Sequence, residues 1–234
     1  MSQYFDLEPE FLAIWDEIAD RTMTSIERGY ALWQAVGHII TSGLPGDFVE
    51  CGVWRGGSAM LMARALNHFG DDGRHIYLFD TFAGMTPPDA RDVQAMSGRD
   101  AAAILADAPK NADDPFWGIA PLEMVQANMA ESGIAPARVH YVAGDVAQTI
   151  PAAAPPTLAL LRLDTDWYAS TAHELAHLWP RLSPGGILLI DDYGYWQGAR
   201  AATDDWLASL PAAQRPLLQR IDYTGRMGIK PYRK

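Results

Sequence analysis

The chain has 234 residues, 49% of them hydrophobic and 20% charged, a globular composition with room for one domain and a sizeable buried core. Its 29 acidic and 18 basic residues leave a formal net charge of −11, which argues against nucleic acid and anionic membrane surfaces as partners. A single cysteine, Cys51, excludes an internal disulfide framework; with no basic-then-apolar leader and no apolar run of bilayer length, the expected location is the cytoplasm.

Residues 9–42 read as two amphipathic helices. Phe11, Leu12, Ile14, Trp15 and Ile18 mark the apolar stripe of the first, and Ile26, Tyr30, Trp33, Val36 and Ile40 that of the second. Gly43-Leu44-Pro45-Gly46 stops the second helix, so residues 1–46 form an N-terminal helical segment ahead of a core at 47–234. The core opens with an apolar strand at 47–51, then Gly52, Gly56 and Gly57, then a helical pattern from 59 to 66. A strand ending in glycines before a helix N-terminus is how open α/β folds form a nucleotide-sized crevice. Glycine lets the backbone approach a ligand, and the helix amides favour acceptor groups. The spacing is not G-x-G-x-x-G, and by itself the turn serves equally well to pack a helix on a strand.

A second strand at 75–79 ends at Asp80, 28 residues beyond Gly52. An acid there holds ribose hydroxyls in nucleoside sites, with helix capping as its alternative. From 83 to 120 the periodicity fails and Pro87, Pro88, Pro109 and Pro115 intervene, the pattern of a lid, a binding loop or a disordered segment, with Phe116 and Trp117 as anchoring rings. A helix at 122–132, a strand at 138–142 leading to Asp145, a strand at 158–164 and a helix at 170–182 follow. The turn Ser183-Pro184-Gly185-Gly186 precedes a strand at 187–192. Two strands within 217–230, joined near Thr224-Gly225, form an antiparallel edge. Strands alternating with helices predict an α/β fold, an open and mostly parallel Rossmann-like sheet of about seven strands with helices on both faces.

Two strands end in paired acids, Asp164 with Asp166 and Asp191 with Asp192. Ligands of open α/β sheets bind beyond the carboxyl ends of the strands, where these four acids converge. Clustered carboxylates repel and raise one another's pKa unless a cation neutralises them, and hard oxygen donors suit Mg²⁺. Helix capping accounts for one acid per strand but not for two. Trp167, Tyr168, Tyr193, Tyr195 and Trp196 flank the acids and either stack on an acceptor or pack the core.

His173-Glu174-Leu175-Ala176-His177 matches H-E-x-x-H, a zinc-hydrolase pattern. No glutamate follows it, and its helix is a crossover that lies against the sheet's face, so a solvent-facing histidine pair is the expectation. His38, His68, His75 and His140 form no cluster in sequence and read as surface or satisfied core residues.

Four segments together resemble the macrocin O-methyltransferase family: Val49-Glu50-Cys51-Gly52-Val53-Trp54-Arg55-Gly56-Gly57-Ser58, Phe79-Asp80-Thr81-Phe82-Ala83-Gly84-Met85, Leu163-Asp164-Thr165-Asp166-Trp167-Tyr168-Ala169-Ser170-Thr171 and Ile190-Asp191-Asp192-Tyr193. The similarity runs from about Arg21 to the C-terminus. The resemblance implies a class I methyltransferase core, S-adenosylmethionine and Mg²⁺ as cofactors, and a sugar or polyol hydroxyl of a secondary metabolite as acceptor, in antibiotic biosynthesis. It implies that Glu50, Gly52 and Val53 contact the methionine part of the cofactor, with Ser58 opening the helix beneath it. Asp80 takes the ribose hydroxyls with Thr81 beside it, and Asp145 sits near the adenine amino group. Asp164, Asp191 and Asp192 become the Mg²⁺ ligands and Asp166 the general base, with Asp164 its alternative. The stretch 83–120 becomes the family's variable lid, and a homo-oligomer is expected. Two competing readings are an NAD-dependent dehydrogenase on the same strand–turn–helix and a zinc hydrolase through His173 and His177. A non-enzymatic binding module leaves the acid clusters unexplained.

Overall fold

The apolar run Leu158-Ala159-Leu160-Leu161 becomes the start of a fully buried strand near the middle of the sheet. In the computed structural model, which describes residues 4–111 and 114–232, the elements in chain order begin with α1 (Pro9–Ile18), α2 (Ile26–Thr41), β1 (Asp47–Cys51), α3 (Gly57–His68) and β2 (Ile76–Asp80). Next come α4 (Ala101–Asp107), α5 (Leu122–Ala130), β3 (Val139–Ala143), α6 (Val146–Thr149), β4 (Leu158–Leu163) and α7 (Tyr168–Leu178). The chain ends with β5 (Leu182–Ile190), α8 (Gln197–Ser209), β6 (Gln219–Arg220) and β7 (Arg226–Ile229). The sheet order is β3-β2-β1-β4-β5-β7-β6; the first five strands are parallel, and β7 and β6 add the antiparallel edge.

Successive strand residues point to opposite faces, so one strand feeds two cores. Phe48, Ile76, Leu78, Leu160 and Leu189 pack with α1, α2 and α3, while Val49, Cys51, Phe79, Leu161 and Leu188 pack with α6, α7 and α8. Residues of the N-terminal helices, Phe11, Ile18, Leu32 and Val36, share one apolar cluster with the sheet. Gly29 makes this possible, because a Cβ there would lie 2.2 Å from the Trp15 ring. Ser25 caps α2 by accepting the Arg28 N–H at 3.2 Å, a reason for the helix to begin at Ile26.

Two segments differ from the expectations, and a third takes a definite form. Ser183-Pro184-Gly185-Gly186 lies inside β5 as an irregularity, with Gly185 at φ +84° and the register slipping opposite Leu158 and Leu160. A glycine at positive φ lets the strand kink and resume, which in sequence reads as a turn. Helix α7 stops at Leu178, and Trp179–Arg181 form a single tight turn before β5. The insertion at 83–120, of which Ala112 and Asp113 lie outside the described residues, carries α4 and an ordered wall. Ala101, Ile104 and Leu105 pack with Trp167, Trp196 and Ala199 in a third apolar cluster. The expected pair of aromatic anchors, Phe116 and Trp117, packs against its side. No helix among the described residues is long and apolar enough to cross a membrane.

Candidate active site

The strand order reverses beside β1, with β2 and β3 on one side and β4 and β5 on the other, so a crevice opens at the carboxyl ends of these strands. It is a cavity of about 350 Å³, within the range of small-molecule sites. Gly52 sits at its floor at φ +80°, and a Cβ there would lie 1.9 Å from the Asp164 carbonyl oxygen. Only glycine lets the turns after β1 and β4 approach this closely.

Asp80 ends β2 and faces this turn. Its Oδ2 accepts the Val53 and Trp54 amides at 2.6 and 3.2 Å, and its Oδ1 accepts the Phe82 amide at 2.7 Å. Gly56, at φ +87°, precedes α3 without a side-chain cap, so the leading N–H groups of that helix stay available to an anionic ligand. Gly52, Val53, Ser58, Asp80, Thr81 and Asp145 all line the cavity. Ser58 Oγ lies 3.5 Å from Thr22 Oγ1. Thr81 Oγ1 donates to the Gly84 carbonyl at 2.6 Å and accepts the Ala83 amide at 3.1 Å, shaping the exit from β2. Asp145 caps α6 by accepting the Ala147 amide at 2.8 Å. Asp80 and Asp145 thus combine a capping-type role with a place on the cavity wall.

Glu50 departs from the expectation of a direct ligand contact. It is 1% exposed and does not line the cavity. Its Oε1 accepts from Arg162 Nη1 at 2.7 Å, while Oε2 is buried without a partner among the described residues. Arg162 is the charged residue in the buried strand β4, in register with Glu50 on β1. Its Nη2 reaches Asp164 Oδ2 at 2.8 Å and Asp191 Oδ1 at 2.7 Å. Burial works against the Arg162 charge, but Asp164, Asp191 and Glu50 around it raise its pKa. Arg28 arrives from α2, pairing Nη1 with Asp191 Oδ2 and Nε with Asp222 Oδ2 at 3.0 Å.

Asp164, Asp191 and Asp192 each offer a carboxylate oxygen, and the three atoms lie within 4.8 Å of one another. Among the described residues this is the group arranged to hold a metal ion. Three hard oxygen donors close together at the mouth of an open cavity fit a small divalent cation that keeps water or substrate in its remaining positions. The local charge agrees. Six carboxylates (Glu50, Asp164, Asp166, Asp191, Asp192 and Asp222) face two guanidinium groups (Arg28 and Arg162), a deficit of four charges if every acid ionises. Burial, aided by Asp191, pushes Asp164 up to about 6 against the pull of Arg162. Burial and then Asp164 push Asp166 up to about 7. Burial and then Asp166 push Asp192 well above the carboxylate range. The Asp166 and Asp192 carboxyl groups lie side by side, and each is raised by burial together with the neighbouring acids.

Asp166 is fixed from several sides. Its backbone lies in the left-handed region at φ +66°, and its amide donates to Asp192 Oδ2 at 3.2 Å. The Trp196 indole N–H donates to Asp166 Oδ1 at 2.7 Å. Trp196 is 3% exposed and meets Trp167 edge to face at 4.9 Å, so core packing and the acid site use the same rings. The insertion is pinned here: Trp167 Nε1 donates to the Thr86 carbonyl at 2.9 Å, Tyr168 N to Asp92 Oδ1 at 2.8 Å and Gln94 Nε2 to Tyr195 Oη at 2.8 Å.

The His173 and His177 rings take no part in this chemistry. The two rings are 4.4 Å apart, and His173 Nε2 lies 3.0 Å from the Ile150 carbonyl. No third ligand joins them among the described residues. Arg28 and Arg162 were not singled out in the sequence. An arginine interrupting the apolar run before Asp164 is the signal that marks Arg162, whereas nothing in the local pattern of α2 marks Arg28.

A reversed parallel sheet with a glycine turn after its first strand and an antiparallel last strand defines a class I S-adenosylmethionine-dependent methyltransferase. The O-methyltransferase NovP superposes with a TM-score of 0.76 at 30% identity, over 91% of this chain and 83% of that one. A family model of macrocin-O-methyltransferases (TylF) matches residues 15–228, and the chain belongs to that family. It is 36% identical over 202 residues to the 8-demethyl-8-(2,3-dimethoxy-α-L-rhamnosyl)-tetracenomycin-C 4'-O-methyltransferase of Streptomyces olivaceus, covering 86% of this chain and 73% of that one. It is 35% identical over 172 residues to the mycinamicin III 3''-O-methyltransferase of Micromonospora griseorubida, covering 74% and 65%. The chain is an O-methyltransferase, and neither the dehydrogenase nor the zinc-hydrolase reading is favoured.

Proposed function

We propose that the chain is a Mg²⁺-dependent enzyme that methylates a sugar hydroxyl of a glycosylated natural product. The observation that carries this reading is the convergence, in one cavity, of a glycine turn on one side and Asp164, Asp166, Asp191 and Asp192 on the other. The acceptors named for the two relatives, a rhamnosyl tetracenomycin and mycinamicin III, support the acceptor class.

The turn Gly52–Val53, the α3 N-terminus, Asp80, Thr81 and Asp145 hold S-adenosylmethionine in this reading, and Asp164, Asp191 and Asp192 hold Mg²⁺. When bound, the sulfonium supplies an electrophilic methyl carbon, and the cation lowers the pKa of a hydroxyl that is otherwise a poor nucleophile. Trp167, Tyr195 and Trp196 line the wall beside the acids and exclude water from one face of the acceptor. Asp166 would take the proton that the acceptor hydroxyl gives up when its oxygen is methylated. The Trp196 hydrogen bond occupies Oδ1 and orients the carboxylate for that transfer.

The test is methyl transfer from labelled S-adenosylmethionine to those two acceptors, with Mg²⁺ and with excess chelator. Turnover that needs Mg²⁺ supports the reading. Undiminished turnover in chelator removes the metal from it, and NAD binding without S-adenosylhomocysteine binding removes the methyl transfer.

A further inference from the structure

Glu174, the middle acid of the H-E-x-x-H segment, is where that motif enters the chemistry. The residue is fully buried on the sheet-facing side of α7, among Thr171, Leu175 and Leu178. An apolar residue suits that position. A carboxyl group there carries a desolvation cost that one hydroxyl partner offsets only in part. That partner is Thr165, whose Oγ1 lies 3.0 and 3.1 Å from the two carboxyl oxygens. Thr165 lines the cavity between Asp164 and Asp166. The titratable groups whose charges reach Glu174 are Asp164, Asp145 and Cys51. None of them is a cation, and burial pushes the carboxyl up to about 8, so a neutral acid faces the threonine at physiological pH.

The turn it touches is the constrained one. A non-glycine residue in the left-handed region persists where its surroundings over-determine it, and such sites cluster where function requires a fixed geometry. Asp166 at φ +66° has Trp196 on its carboxylate and Asp192 on its amide; the preceding residue is restrained through Glu174. We infer that Glu174 is a positioning residue that, through Thr165, fixes the Asp164–Asp166 turn in the geometry that aims Asp166 at the acceptor. The inference rests on the assignment of Asp166 as the group that takes the acceptor proton. Sequences that break a local rule do so chiefly at functional sites, and an acid on an apolar helix face is such a break.

Three variants separate positioning from plain packing: Glu174→Leu, Glu174→Gln and Thr165→Val. Glu174→Leu fills the space and Thr165→Val keeps the shape, but both remove the hydrogen bond; Glu174→Gln keeps it. Glu174→Leu and Thr165→Val are expected to lower kcat about 10- to 100-fold with whichever of the two acceptors turns over, while S-adenosylhomocysteine affinity holds within about 3-fold. The double variant should fall no further than the worse single one, and Glu174→Gln should stay within about 3-fold of wild type. A readout free of any acceptor is the Trp196 indole N–H signal in proton NMR, assigned with Trp196→Phe. It should move in Glu174→Leu and Thr165→Val, toward its position in Asp166→Ala, and stay in place in Glu174→Gln. If Glu174→Leu fails to fold, Thr165→Val and Glu174→Gln decide by the same criteria. Wild-type kcat with an unmoved indole signal in Thr165→Val overturns the inference, as does inactive Glu174→Gln, which would make the ionised carboxylate the working form. An active Asp166→Ala instead overturns the base assignment; an inactive one beside full-rate Glu174→Leu overturns only the role of Glu174.

Discussion

The two ends of the cavity handle their acids in opposite ways. At the β1–β2 end, Asp80 is satisfied by backbone amides of nearby turns, three N–H groups from Val53, Trp54 and Phe82. At the β4–β5 end, Asp164 and Asp191 are met by side chains, Arg162 inside β4 for both and Arg28 on α2 for Asp191, while Asp192 accepts the Asp166 amide. A carboxylate held by backbone amides braces the turn it faces, whereas carboxylates that outnumber their cations leave oxygen atoms that can hold a metal. The first end suits binding and the second suits chemistry.

Substitutions at the two ends should therefore separate affinity from rate. The largest effect expected is Asp166→Ala, a loss of about 10²- to 10⁴-fold in kcat, the usual range for removing a general base, with S-adenosylhomocysteine affinity nearly unchanged in calorimetry. An equal loss of affinity would merge the two ends into one. Arg162→Met leaves Glu50, Asp164 and Asp191 without their shared cation, and urea unfolding should register a loss of about 3–5 kcal/mol, the scale for breaking a buried ion pair from one side. A loss below 1 kcal/mol would mean that protons on the acids replace the arginine.

Asp80→Ala strands the Val53 amide and unties the glycine turn. It should cost about 1.5–3 kcal/mol of stability and weaken S-adenosylhomocysteine at least about 10-fold, while kcat at saturating cofactor changes little. A pH dependence sharpens the acid end further. The Glu174 carboxyl rises from its ordinary value of 4.5 to about 8 in the fold, so the folded protein binds more protons than the unfolded chain between these values. Its contribution is complete below about 4.5 and is lost as pH rises through about 8, at no more than about 1.4 kcal/mol per pH unit. Glu174→Gln does not titrate, so its melting temperature should gain on wild type between pH 5 and 8. A constant difference across that range would show the wild-type carboxyl ionised throughout.

The features legible in the sequence are those that repeat locally. Alternating strands and helices specified a parallel sheet, and a parallel sheet places the acids after β4 and β5 side by side, so Asp164, Asp166, Asp191 and Asp192 were recognisable as a group, of which Asp164, Asp191 and Asp192 converge closely enough to hold one ion. Glycine at 52 was recognisable as a close approach, although its partner, the Asp164 carbonyl, was not. The segment at 83–120 resisted because its order comes from contacts with Trp167, Trp196 and Ala199, far along the chain, rather than from its own periodicity. Glu174 was visible as part of a zinc-like pattern, but the pattern does not reveal which face of α7 meets the sheet.

By itself the sequence determined the sheet, its glycine turn and the carboxylates that end its strands, since hydrophobic period and backbone restriction act over a few residues. The tertiary structure alone decided how those carboxylates are held. Arg28 stands 163 residues from Asp191, Trp196 stands 30 from Asp166, and Glu50 turns from the cavity to Arg162 on the adjacent strand. Charge pairing inside a fold depends on distance through space and on the water that packing removes, and neither is written in local order.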